Sequence, residues 1–133
     1  METIKIFIDW SGNNYGATSF DVPGCVATSD TIEGIKQAYV SALEFHLKGM
    51  LADNDEIPQC LQGEYKLEFE LTAQALLKDL DGVLTRAALA RVTGINQRQL
   101  GHYITGHHKP RPKQREKIIE GIHRIGKELI SVV

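Results

Sequence analysis

The sequence predicts an α+β chain, a β-β-β-α-β half followed by a small all-α half. Three observations predict it. Apolar side chains alternate with period two in several short stretches before residue 72, and they recur three and four apart in one stretch there and in most of residues 72–133. The charge also changes sign at Leu71: residues 1–71 carry 4 basic and 12 acidic side chains, net −8, whereas residues 72–133 carry 11 basic and 5 acidic, net +6, within an overall −2. A chain of 133 residues accommodates two small cores. The predicted domains are 1–71 and 72–133.

In the acidic half, Ile4, Ile6 and Ile8 alternate with Lys5, Phe7 and Asp9 as a first strand, which Ser11-Gly12-Asn13-Asn14 turns back. Tyr15 to Val22 returns as a second strand, Pro23-Gly24 interrupts it, and Cys25 to Thr28 form a short third strand. Asp30, with Glu33 three residues on, predicts a capping box. The helix it opens carries Ile32, Ile35, Tyr39, Ala42, Leu43, His46 and Met50 on one stripe, ending near Leu51. Gly34 weakens its first turn by about 1 kcal/mol relative to Ala. His46, alone on that stripe, reads as a hydrogen-bonded core residue. Tyr65, Leu67, Phe69 and Leu71 alternate as a fourth strand.

Tyr15-Gly16-Ala17, then Asp21-Val22-Pro23-Gly24-Cys25, then Ser29-Asp30-Thr31 and a helix with Glu33, Ala38 and Ala42 give this half a resemblance to the HicB antitoxin family. The resemblance implies a partial RNase H-like fold and a partner, a small basic HicA-type toxin that cleaves mRNA and whose active site the antitoxin covers. Tyr15, Asp21, Pro23 and Asp30 are the toxin-binding candidates. A net −8 suits such a partner, because a protein that grips RNA presents a basic surface.

In the basic half, Thr72 to Leu80 reads as a helix with Ala73, Leu76 and Leu77 on one face, stopped by Asp81-Gly82. A second helix from Thr85 or Arg86 carries Leu89-Ala90 and reaches Gly94, which suits a left-handed turn. Ile95 plugs the gap, Asn96 caps a third helix, and Leu100, Tyr103 and Ile104 form its buried face. This is helix-turn-helix spacing. It resembles the Cro/repressor (Xre-like) class, including the Gly106-His107-His108-Lys109-Pro110 loop after the recognition helix. Thr93 stands where that class has an apolar residue, for which Val92 is expected to compensate. A last helix from Pro112, with Ile118, Ile119, Ile122, Ile125 and Leu129 inward, closes the bundle.

Double-stranded operator DNA is therefore the expected second partner. Gln97, Arg98 and His102 lie on the solvent side of the recognition helix and are assigned base readout, with Gln99 less well placed. Arg86, Lys109, Arg111 and Lys113 are assigned phosphate contacts that set register without reading sequence. Readers of this kind bind pseudo-palindromes as pairs, so a homodimer or higher homo-oligomer is expected. His107 and His108 read as loop residues and not as metal ligands.

Hydrophobic residues at 42% and charged residues at 24% indicate a globular chain. No apolar run approaches the roughly 18 residues of a membrane span, the N-terminus lacks signal-peptide character, and the expected location is the cytoplasm. Cys25 and Cys60 have no partner at metal-ligand spacing and read as buried or partly buried thiols. Asp9, Asp21 and Asp30 occupy a strand end, a turn approach and a helix start, so neither a two-metal nuclease nor any other enzyme is expected, and no cofactor. The expected function is an antitoxin that neutralises its toxin and represses its own operon. The rival is a helix-turn-helix regulator whose first domain senses a ligand or only dimerises.

Overall fold

The computed structural model describes residues 1–133 as a mixed α+β chain with one sheet and five helices, in two compact units, Met1–Thr72 and Ala73–Val133. No helix is long and apolar enough to cross a membrane.

The first unit runs β1 (Glu2–Trp10), β2 (Tyr15–Thr18), β3 (Val26–Ser29), α1 (Ile32–Ala52), a single 3₁₀ turn at Gln59–Leu61, and β4 (Tyr65–Leu71). The sheet order is β3-β2-β1-β4, with β1 antiparallel to β2 and parallel to β4. Ile4, Ile6 and Ile8 of β1 are wholly buried and pair in register with Leu67, Phe69 and Leu71. Alternation thus places one apolar face toward α1, whose buried stripe is Ile35, Tyr39 and Leu43. Tyr39 meets Phe69 edge-on, with ring centroids 6.5 Å apart. The Tyr39 hydroxyl is buried without a well-formed hydrogen bond and neighbours the buried Cys25 thiol; burial pushes both acids up.

Several local details differ from expectation. Strand β2 stops at Thr18 instead of reaching Val22, because the Ser19 hydroxyl donates to the Lys5 carbonyl (2.7 Å) and accepts from the Asp21 N–H (3.2 Å), bending the chain so that Val22 drops into the core. Cys25 is buried just ahead of β3, which starts one residue later, at Val26. Cys60 is half-buried, and both thiols are free. The cap of α1 is Thr31, not Asp30: its Oγ1 accepts from the Gly34 N–H at 2.9 Å. A Cβ on Gly34 would stand 2.4 Å from Ser29 Oγ and 2.8 Å from Thr31 Oγ1. The weak helix former is what lets the cap close. His46 is half-buried at the edge of the apolar stripe.

The second unit is α2 (Ala73–Leu80), α3 (Arg86–Thr93), α4 (Gln97–Thr105) and α5 (Pro112–Ile130). Its core is Ala73, Leu77, Leu89, Ile95, Leu100, Tyr103, Ile104 and Ile118, with half of these from α4 and the turn before it. Thr85 Oγ1 caps α3 by accepting from the Ala88 N–H at 3.0 Å. Gly94 ends that helix at φ +75°, Ile95 plunges inward, and Asn96 Oδ1 starts α4 by accepting from the Gln99 N–H at 2.8 Å.

Thr93 needs no compensation from Val92. It is itself buried, and its hydroxyl is satisfied locally, donating to the Leu89 carbonyl at 2.6 Å and accepting from the Ile95 N–H at 3.2 Å. Its methyl and the Val92 carbonyl face Gly121 of α5, where a Cβ would stand 2.7 Å from the Val92 oxygen. Arg124, one turn further along α5, donates to that same carbonyl. Ile118 is buried and Ile119, Ile122 and Ile125 are half-buried, but Leu129 is 65% exposed, so the inward stripe of α5 ends before it.

These close approaches reverse what helix propensity predicts for two of three glycines. Gly121→Ala is expected to destabilise the second unit by about 1–3 kcal/mol through overpacking against backbone. Gly34→Ala should lower the stability of the first unit although Ala is the better helix former. Gly126→Ala, with nothing within 4 Å of the added carbon, should stabilise by up to about 1 kcal/mol. Urea unfolding of the full chain followed by circular dichroism measures all three.

Candidate functional site

The short turn between α3 and α4 decides which residues of the basic unit meet solvent. Burying Leu100, Gly101, Tyr103 and Ile104 commits one face of α4 to the core. Gln97 and Arg98, in its first turn, are exposed, and Gln99 and His102 are half-exposed. Arg86 is exposed and lays its guanidinium beside Gly101: a Cβ there would be 3.0 Å from Nη1. An arginine of α3 is thereby held over the middle of α4. Gly106 ends α4 at φ +79°, with its backbone close to Gln74, whose amide donates to the Ile104 carbonyl at 3.1 Å.

Beyond that turn the chain forms a groove of about 540 Å³ lined by Gln99, Tyr103, His107, His108, Lys109, Arg111 and Gln114. Lys109 and Arg111 are thus brought together with Gln99, while Lys113 is exposed in the first turn of α5 outside the lining. The Gln114 amide lies 3.4 Å from the Tyr103 hydroxyl, to which it donates.

His102 does not stand alone facing solvent. Its ring packs against His107 and His108 with centroids 5.0 and 4.7 Å away, and those two are 4.8 Å from each other. Its Nδ1 is buried with no hydrogen-bond partner. Desolvation first, then His108, His107 and Arg98, hold its pKa below the ordinary histidine value. The three rings meet at tilted to edge-on angles and do not form a group that could hold a metal ion. Two of these rings are adjacent in the sequence; the third, five residues earlier on a helix, meets them only because Gly106 folds the chain back.

In the acidic unit the four toxin-binding candidates are dispersed. Tyr15 is buried, its ring edge-on to Trp10 at 4.8 Å. Asp21 and Pro23 are exposed on the turn before β3, and Asp30 is exposed after it, roughly 13 Å along at about 3.3 Å per strand residue. Asp9 is engaged locally: its Oδ1 accepts from the Thr72 hydroxyl at 2.7 Å and from the Trp10 N–H at 2.9 Å.

A different set of residues meets in this unit. Gly24, Cys25 and Val26 form one wall of a cleft of about 410 Å³, and Ala42, Phe45, His46, Gly49 and Met50 of α1 form the other, with Asp53 and Asp55 at its end. Phe45 is 81% exposed and Val26 62%. A visible signal existed in the sequence: Phe45 lies about 200° around the helix from Leu43, an aromatic set away from an otherwise consistent apolar stripe.

Comparison with known proteins bears on residues 4–97. The family model described as HicB-like antitoxin of bacterial toxin–antitoxin systems matches residues 4–97, which takes in the sheet, α1, α2, α3 and the start of α4. An uncharacterized 14.9 kDa protein of the rep-hol intergenic region of Haemophilus phage HP1 (strain HP1c1) is 35% identical over 54 residues. That alignment spans 41% of this chain and 41% of the phage protein, less than half of each. The match over residues 4–97 covers well over half of the 133 residues, and the chain belongs to the HicB-like antitoxin family of bacterial toxin–antitoxin systems.

Proposed function

We propose that the chain is an antitoxin with two separable activities: its acidic unit caps a small, basic, RNA-cleaving HicA-type toxin, and its basic unit binds operator DNA to repress the operon that encodes both. Family membership together with the net −8 of residues 1–71 carries the first activity. A toxin shaped to hold RNA phosphates is drawn to such a surface and loses access to RNA when it is covered. We read the β-β-β-α-β unit as the partial RNase H-like fold that the resemblance implies, used as a binding scaffold and not as an enzyme.

The second activity rests on the α3–α4 pair. A left-handed glycine, a buried Ile95 and a side-chain cap at Asn96 join two short helices, and the exposed first turn of the second carries Gln97 and Arg98. We read the pair as a Cro/repressor-type helix-turn-helix in which Gln97 and Arg98 touch base edges, and His102 does so at its margin. Arg86, Lys109, Arg111 and Lys113 then contact phosphates. Two copies bind half-sites about 10 base pairs apart or a multiple of that. The working compartment is the cytoplasm, where operon and mRNA are found.

Affinity purification of the full chain from its host tests the first activity. Recovery of a stoichiometric small basic protein that arrests growth when expressed alone is the expected result; recovery of DNA alone would leave a regulator whose first domain senses a ligand or dimerises. For the second, Arg98→Ala is expected to weaken binding to the DNA upstream of its own gene by about 1–3 kcal/mol and to leave toxin neutralisation intact. Lys109→Ala should weaken binding evenly across sequences and reduce the slope of log K against log salt by about 1.

The histidine cluster sets a pH dependence. With its pKa lowered in the free protein, His102 is largely neutral at pH 7. Phosphates brought beside the cluster favour the protonated form, so binding takes up protons. Affinity for the operator duplex is expected to rise as pH falls from about 7.5 to 6. Replacing His102, His107 and His108 with Gln should flatten that rise, as measured by fluorescence anisotropy at constant ionic strength. An affinity that fell with acidification would count against placing the cluster at the DNA.

A further inference from the structure

We infer that the cleft between α1 and the Gly24–Val26 segment is the surface on which the acidic unit takes its basic protein partner, receiving an apolar side chain flanked by lysine or arginine. The inference rests on the antitoxin reading and locates its contact.

Apart from Met1 and the marginally exposed Val40, which lies with Phe69 beside Lys36, the unit exposes large apolar side chains in two places. On the sheet face away from α1, Phe20 is 89% exposed and meets Phe7 edge-on at 5.7 Å, amid charges of both signs on β1 and β4: Lys5, Lys66, Glu68 and Glu70. The cleft is different. Phe45 and Val26 stand at its mouth, exposed Leu51 follows nearly two turns along α1, and the carboxylates at its end are Asp53 and Asp55, with exposed Glu56 next in the chain. The basic side chain near this end of α1 is Lys48. Apolar surface whose rim carries three carboxylates against one lysine suits a basic partner.

Two glycines keep the cleft open. Gly24 holds φ +85° and turns its missing Cβ toward His46, whose ring carbon would be 3.8 Å from it. Gly49 lies in the last turn of α1 with nothing within 4 Å of an added Cβ, so the cleft is open there. Strand β3 is also an edge strand, so its outer backbone groups are open to pairing beside the cleft.

The test uses the full chain and the small basic protein that co-purifies with it, each purified, with affinity read by titration calorimetry. Phe45→Asp and Gly49→Gln, the first at an exposed site and the second into empty space, are expected to weaken binding at least 100-fold with unchanged circular dichroism and unchanged binding to operator DNA. Asp53→Lys with Asp55→Lys should weaken it at least 10-fold and reduce its salt dependence. Phe20→Asp, on the other face, should bind as the wild type does. Loss of binding in Phe20→Asp with retention in Phe45→Asp would move the contact to the open sheet face and overturn the inference while leaving the antitoxin reading in place. A change of oligomeric state in Phe45→Asp without the partner, read by analytical ultracentrifugation, would make the cleft a contact between copies of this chain and overturn it likewise. If the wild-type chain itself retains no such protein, the antitoxin reading fails and takes the inference with it.

Discussion

The parallel pairing of β1 with β4 is the constraint on which the acidic unit depends. Parallel neighbours cannot be joined by a tight turn, so the chain between them must leave the sheet and return, and α1 is the segment that does so. The register sets Ile4, Ile6 and Ile8 against Leu67, Phe69 and Leu71, so a slip of one residue would turn an entire apolar face to water. The same register decides where the unit ends. Leu71 pairs with Ile8, the Thr72 N–H donates to the Ile8 carbonyl at 2.9 Å, its hydroxyl donates to Asp9, and Ala73 opens α2 at once.

In the basic unit the comparable constraint is the close crossing of α3 and α5. Gly121 admits the Val92 carbonyl and the Thr93 methyl, and Arg124 donates to that carbonyl near the end of α3. With α3 seated on α5, the turn through Gly94 and Ile95 has one way to place α4, whose core face is Leu100, Tyr103 and Ile104. The exposed turn with Gln97 and Arg98 is therefore a consequence of packing elsewhere in the unit. This separates stability from surface chemistry: the glycines and Thr93 hold the geometry, and the exposed Gln97 and Arg98 take no part in the core.

The opposite charges of the two units fit the two kinds of partner. On the proposed function, segments of −8 and +6 would each attract a partner locally, within a Debye length of about 8–10 Å, as a chain of uniformly spread net −2 would not.

Local sequence was enough to set the order of strands and helices along the chain, the sign of each half and the identity of the turn between α3 and α4. Those rest on short-range periodicity and on residues such as Gly94 and Asn96 whose conformational preferences act within four residues. Features that depend on distant approach were decided by the packed structure. Strand order could not be read from alternation, because β1 offers the same pattern to either edge. Capping by Thr31 instead of Asp30 depended on the space at Gly34 beside Ser29, and Thr93 proved well placed once its hydroxyl met Leu89 and its methyl met Gly121. The histidine cluster is legible in neither motif nor composition, and of the cleft only the offset Phe45 shows in the sequence, since each joins residues that only chain reversal brings within 5 Å or across one groove.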